Sequence, residues 1–157
     1  MLVLVLVAAC GASAAEMKTA KTAWYKLSGH DLLARAEEVA SEDYKIASVN
    51  AEQLAFITAP RFYGPEGDLE SPGAGGFVTM RDRSVEVAFI VQVVELDSGD
   101  TAVTVQPKTF QVLSGSPKPR ELAPDDPNLP PFVHGRADAL ALAIYDKAKP
   151  HVDTDHP

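Results

Sequence analysis

The sequence predicts an α+β fold: a two-layer sandwich with a four-stranded, mostly antiparallel sheet and two helices on one face. Three observations predict it. Apolar residues recur at helical spacing near both ends of the domain. Strict alternation runs through the middle, and short turn signals separate the strand-like runs. The order is helix, four strands in two hairpins, helix (α-β-β-β-β-α). Packing each helix by its single apolar stripe onto one sheet face is the economical arrangement.

The elements lie within residues 24–150, read as a single domain that Trp24 and Tyr25 enter. Ser28-Gly29-His30-Asp31 fits a capping box, with Ser28 as N-cap and Asp31 three residues on. Leu32, Leu33, Ala36, Val39 and Ala40 follow at helical spacing, with Arg35, Glu37 and Glu38 outside, so the first helix runs from about Gly29 to Ser41. Tyr44–Val49 and Gln53–Ala59, separated by Asn50-Ala51-Glu52, read as a hairpin. From Pro60 to Gly76 the chain is too rich in Gly and Pro for regular structure.

Val85, Val87, Phe89, Val91 and Val93 then alternate strictly. Ala88, Ile90 and Val94 share the other face with Glu86 and Gln92, which marks a central strand partly covered on both sides. Phe77–Met80 reads as its extension or as a separate strand. After the turn Asp97–Asp100 comes a strand over Thr101–Leu113, in which Pro107 signals an edge or a bulge. Ser114–Pro131 is a loop holding half of the prolines. Val133, Ala137, Leu140, Ala141, Ile144 and Ala148 form one stripe of a helix ending near Pro150. Two segments show no periodicity. Residues 10–23, rich in Ala, Lys and Thr, read as a flexible tether, and residues 151–157 (HVDTDHP) as a disordered tail.

The start of the chain carries the one strong signal. Leu2–Ala9 is uninterruptedly apolar and leads into Cys10, the only cysteine, and then into Gly11, Ala12, Ser13, Ala14 and Ala15. A bilayer-spanning helix needs about 20 apolar residues, so this run is too short to span. A short apolar run followed by small residues is how a secretory signal peptide ends. Val7-Ala8-Ala9-Cys10 resembles the lipobox of bacterial lipoproteins. That resemblance implies removal of residues 1–9 as a signal peptide, lipid attachment at Cys10 and a membrane-held product. Gly11, where an Asp would retain such a protein at the inner membrane, implies sorting to the outer membrane, facing the periplasm. A lone Cys in an exported protein needs an explanation, and an anchor supplies one. One chain anchors weakly and two or more anchor stably. Signal peptides begin with Lys or Arg and none precedes Cys10, which favours a true start upstream of Met1. Ala12-Ser13-Ala14 offers the alternative of ordinary cleavage before Ala15, giving a secreted or periplasmic soluble product without Cys10.

Composition excludes some partners. Residues 1–9 are uncharged, so the processed chain keeps the net charge of −8, which repels nucleic acid and disfavours binding of the domain surface to anionic lipid headgroups. Aromatics at 7% leave little for a base- or sugar-stacking platform.

No motif carries chemistry. Ser28, His30 and Asp31 sit within one helical turn, whereas a catalytic triad is drawn from separate parts of a fold. The sequence has no G-x-S-x-G, phosphate-binding glycine loop or H-E-x-x-H. His151, Asp153, Asp155 and His156 read as a solvated tail rather than metal ligands, because a floppy terminus lacks groups to orient them. Asp125 and Asp126 lack the spacing of a calcium loop. Asp97 and Asp100 flank a turn. His134 and Arg136 read as a surface turn. Phe62-Tyr63, in a long loop, is the exception: such loops are often functional, although packing back onto the sheet is the simpler expectation.

The expectation is therefore a non-enzymatic envelope lipoprotein without cofactor or metal, anchored through Cys10 and contacting another envelope protein. An exposed strand edge, the uncovered sheet face or the Pro-rich loops would make that contact. The layout looks like that of small accessory lipoproteins of the Gram-negative outer membrane, a likeness of architecture only. The alternative is a secreted or tethered binder of a small apolar ligand or lipid, which requires a cavity between sheet and helices.

Overall fold

The computed structural model describes residues 13–76 and 78–155. Residues 1–9, expected to be a signal peptide, and Cys10, Phe77 and His156 lie outside the described residues. The fold is α+β with an antiparallel sheet, as expected, but both layers are larger. The described residues form three α-helices, α1 (Ala14–Thr22), α2 (Gly29–Asp43) and α3 (Pro131–Ala148), and six strands. The strands are β1 (Ile46–Asn50), β2 (Ala55–Thr58), β3 (Arg61–Tyr63), β4 (Val85–Glu95), β5 (Thr101–Gln111) and β6 (Arg120–Leu122).

α1 replaces most of the expected tether. Ser13 caps it: the Glu16 N–H donates to Ser13 Oγ at 3.2 Å, and the Ser13 N–H donates to Glu16 Oε2 at 2.7 Å. A nine-residue helix is marginal alone. Burial of Ala20 and of the following Ala23, with the Lys21–Asp138 ion pair, holds it on α3. α2 starts at the expected residue with Ser28 as its N-cap, but the Asp31 carboxylate takes the Ser28 hydroxyl rather than the backbone N–H that a capping box needs. Ser28 Oγ accepts from the Asp31 N–H at 3.1 Å, while its hydroxyl donates to the Asp31 carboxylate at 2.7 Å. It ends two residues later than expected, where Tyr44 turns extended. α3 buries Val133, Ala137, Leu140, Ile144 and Ala148, five of its six expected stripe positions.

The sheet order is β1-β2-β4-β5-β6, with β3 also paired to β4. β2 and β3 share one edge of β4, meeting it at Ile90–Gln92 and Val85–Val87 respectively. Between them the chain turns at Ala59-Pro60, and the Phe89 N–H loses a ladder partner. The buried Thr58 supplies one, its Oγ1 accepting at 2.9 Å. β3 and β6 correct the expectation of irregular loops; each is three residues long and persists by pairing with a long strand. Residues 78–80 form no strand. β6 pairs with Thr109–Gln111, leaving Pro107 beyond its reach, as the proline requires.

Val85, Val87, Phe89, Val91 and Val93 face α2 and α3. The apolar-ligand reading needs a cavity between these layers. The positions there are taken by a continuous core that includes Tyr25, Leu32, Leu33, Tyr63, Leu122 and Ile144. Each fully buried aliphatic side chain contributes roughly 1.5–3 kcal/mol.

The expected disordered tail is ordered through Asp155. Lys149–His151 make a 3-10 turn, the Lys26 N–H donates to the His151 carbonyl, and the Asp153 N–H donates to the Trp24 carbonyl, both at 2.8 Å. Tyr25 bridges Val152 on one side and Thr101 on the other. Asp153 is 5% exposed and lies 2.7 Å from Lys26 Nζ. Backbone pairing, invisible to composition, fixes this segment.

Candidate interaction surface

Phe62 and Tyr63 are neighbours on a strand, so pairing to β4 sends them to opposite faces. Tyr63 is 1% exposed. Its ring packs against Phe132, centroids 5.7 Å apart, and the Arg136 guanidinium lies 4.5 Å from its centroid. Tyr44 occupies the same region, edge-on to Phe89 at 5.3 Å and beneath Arg61 at 4.6 Å. Burial, reinforced by Tyr63, raises the Tyr44 phenol above its ordinary range.

Phe62 takes the outward face. It lines an open groove of about 390 Å³ with Pro60, Leu69, Pro72 and Val78. The groove wall is an ordered turn: the Gly64 N–H donates to the Asp68 carbonyl and the Glu70 N–H to the Phe62 carbonyl, both at 2.8 Å. Arg81 clamps it from beside, with Nε 2.8 Å from Glu70 and a nitrogen 2.5 Å from Asp68. The hydrogen bond that Arg81 donates to Glu70, with Asp68 adding, raises the Arg81 pKa further. A Cβ at Gly64 would push aside the ends of the Arg81 and Asp68 side chains, so the glycine leaves room for their ion pair. Leu69 is left 55% exposed at the rim.

The same face continues across the sheet. Phe62 and Phe110 flank Glu86 on either side in register, and Ala88 and Ile90 follow along β4. Ile57, Pro60, Ala88 and Phe110 line a second groove of about 190 Å³, with Glu86 and Lys108 at its sides. Lys108 Nζ lies 5.8 Å from the Phe110 ring centroid. Pro60 belongs to both grooves, so the outward surface is continuous from Leu69 to Phe110. Such a mixture of half-buried aromatics, an exposed leucine and both signs of charge can hold another protein surface.

The other sequence-nominated residues are not brought together into a site. Ser28 and Asp31 are a cap and His30 is exposed on α2. Asp97 and Asp100 frame a turn in which Gly99 has φ +89° and Ser98 donates to Asp100 at 2.8 Å. Asp126 caps a local turn, accepting from the Asn128 N–H at 2.8 Å and pairing with Arg120 at 2.9 Å, while Asp125 is exposed beside it. The Asn128 hydrogen bonds, chiefly to its backbone, hold the Asp126 carboxyl below its usual range. Arg136 is a correction: it is a helical residue folded over Tyr63, not part of a surface turn, and His134 is exposed one residue short of Gly135. Among the described residues no group of three or more His, Cys, Asp or Glu could hold a metal ion. No described helix is long and apolar enough to cross a membrane.

Sequence reading missed Leu69 and Phe110 as surface anchors. The signal for Phe110 is its parity along β5, since an even-numbered residue opposite Glu86 must face outward. Leu69 carries no such signal, because the turn that exposes it depends on Arg81. No protein-family model matches the chain, and no curated protein sequence matches it.

Proposed function

We propose that this chain is a lipid-anchored, non-enzymatic module of the bacterial envelope. It is held through Cys10 at the periplasmic face of the outer membrane and contacts another envelope protein with its outward sheet face. The observation that carries the reading is Val7-Ala8-Ala9-Cys10 behind the apolar run Leu2–Ala9. The cap of α1 supports it over ordinary secretion. Cleavage after Ala14 would strip Ser13 from a nine-residue helix packed on the domain, and an N-cap is worth about 1 kcal/mol. Cleavage before Cys10 leaves the cap whole. The continuous surface of Phe62, Leu69 and Phe110 supports the partner contact.

Intact mass of membrane-fraction protein from a bacterial host, beside a Cys10→Ala variant, tests the anchor. A chain beginning at Cys10 with added acyl mass, absent from the variant, is expected. A lipid-free chain beginning at Ala15 in the soluble fraction would overturn the reading.

A further inference from the structure

If Cys10 carries the anchor proposed above, α1 fixes where the domain sits. Gly11 and Ala12 alone separate Cys10 from Ser13, the cap of a helix packed on α3. Three Cα steps reach at most about 10 to 11 Å in any conformation. The headgroup layer of one leaflet is itself about 5 to 7 Å thick. The anchor belongs at the boundary between acyl chains and headgroups, so Ser13 stands within a few ångströms of the headgroup surface. A domain held this closely cannot sample all orientations.

The surface beside Ser13 is a groove of about 670 Å³ between α1 and α3, lined by Ala14, Met17, Lys18, Thr22, Gly135 and the Lys21–Asp138 pair. In a chain of net charge −8 this groove carries two lysines to one aspartate. The one carboxylate of α1, Glu16, accepts from the backbone N–H of Ser13 and keeps its charge. Lys18 is exposed and has no ion-pair partner among the described residues. With Lys18 and Lys21 against Asp138 and Glu16 this face is near neutral, so phosphate-bearing headgroups are repelled by it less than by the acidic remainder of the domain, and the exposed Lys18 is left to meet them. Gly135 adds no side chain, so the groove floor is low enough for a headgroup to enter.

From this geometry we infer that the α1–α3 groove is the membrane-facing surface, resting on phospholipid headgroups with Lys18 and Lys21 at the contact and α1 lying along the bilayer. α3 covers the inner side of the sheet, so this pose turns Phe62, Leu69 and Phe110 away from the membrane, toward the periplasm. The inference rests on the lipid anchor but not on the identity of any partner.

The test uses the fact that Cys10 is the only cysteine and is consumed by acylation. Thr22→Cys, at the far end of α1, and Ser48→Cys, on the outward face of β1, are each labelled with a fluorophore in the acylated, full-length protein. The protein is reconstituted in vesicles of phosphatidylethanolamine and phosphatidylglycerol bearing a nitroxide-headgroup lipid. Intact mass first verifies the acyl chains. The expected result is roughly a twofold loss of fluorescence at Thr22 and almost none at Ser48, given a quencher confined to the headgroup layer. Lys18→Glu, and separately a Gly/Ser insertion of about 12 residues after Gly11, which adds a coil of roughly 19 Å, should each restore much of the Thr22 signal. Equal quenching at both positions, or none at Thr22, would overturn the membrane-facing pose while leaving the anchor intact. A Thr22 label shielded from both the nitroxide lipid and aqueous iodide would assign the groove to a protein instead. Absence of acyl mass would overturn the anchor itself, and the pose with it.

Discussion

The Arg136 guanidinium lies 4.5 Å from the Tyr63 ring centroid and also reaches the Gly67 carbonyl at 3.3 Å, so one side chain on α3 holds both β3 and the turn that exposes Leu69. A cation over a partly desolvated ring is worth about 0.5–2 kcal/mol. Arg136→Ala should destabilise the domain by about that amount and speed protease cleavage within residues 64–72, measured by urea unfolding and limited proteolysis. Arg136→Lys keeps the charge but not the planar contact and should fall between. Unchanged cleavage in Arg136→Ala would show that Arg81 alone orders the turn.

Glu16 is the pH-sensitive member of the α1 cap. The Ser13 backbone N–H, followed by its hydroxyl hydrogen bond, holds the Glu16 carboxyl below its ordinary range. A folded-state value below the unfolded one means that the contribution is present above the ordinary carboxylate range and is lost as pH falls through the lowered value. Relative to the intrinsic exchange rate at each pH, the protection of the Glu16 and Met17 amides should therefore fall on acidification. Glu16→Gln should keep the cap but lose that pH dependence. Ser13→Ala should cost about 1 kcal/mol of local stability at neutral pH. Protection independent of pH in the unaltered protein would contradict this account.

Thr58 replaces the ladder partner that Phe89 loses between β2 and β3. Thr58→Val keeps shape and burial but orphans the Phe89 N–H, at an expected cost of about 1–3 kcal/mol. Thr58→Ser should recover most of it. Chemical denaturation of the pair decides, and a larger loss in Thr58→Ser than in Thr58→Val would mean that packing of the threonine methyl matters more than the hydrogen bond.

Leu69 is exposed and lies outside the core. Leu69→Glu should change stability by no more than about 0.5 kcal/mol, while reducing in-cell cross-linking of the proposed envelope partner. Cross-linking that is indifferent to both Leu69→Glu and Phe110→Lys would remove the outward sheet face from consideration.

What the sequence made legible is what has a period. The stripes of α2 and α3 and the alternation of β4 are read directly from residue spacing, and β5 follows from its turn. α1 was within reach by another route, since Ser13-Ala-Ala-Glu16 is itself a capping-box signature. It lacks a stripe because Ala20 is its one buried residue, so composition alone reads as a tether. β3 and β6 have no periodicity to detect at three residues each; β4 and β5 impose them. Of the surface, Phe62 was legible as an aromatic in a long loop. The division of labour between Phe62 and Tyr63, and the role of Arg136, depend on a register that appears only once β3 is paired.

The pairing of Tyr25 with both Thr101 and Val152 also bears on the order in which the molecule is made. Lys26 and Asp155 are 129 positions apart and in contact, so the two ends of the domain meet. A chain emerging residue by residue, from a ribosome or across a membrane, can zip β4 to β5 early. It cannot seal the edge beside Tyr25 until residues 151–153 have arrived. Until then the buried ring of Tyr25 lacks its final backbone neighbour and the core stays open on that side. Completion of the core is thus deferred until residues 151–153 are in place, whatever has folded before them.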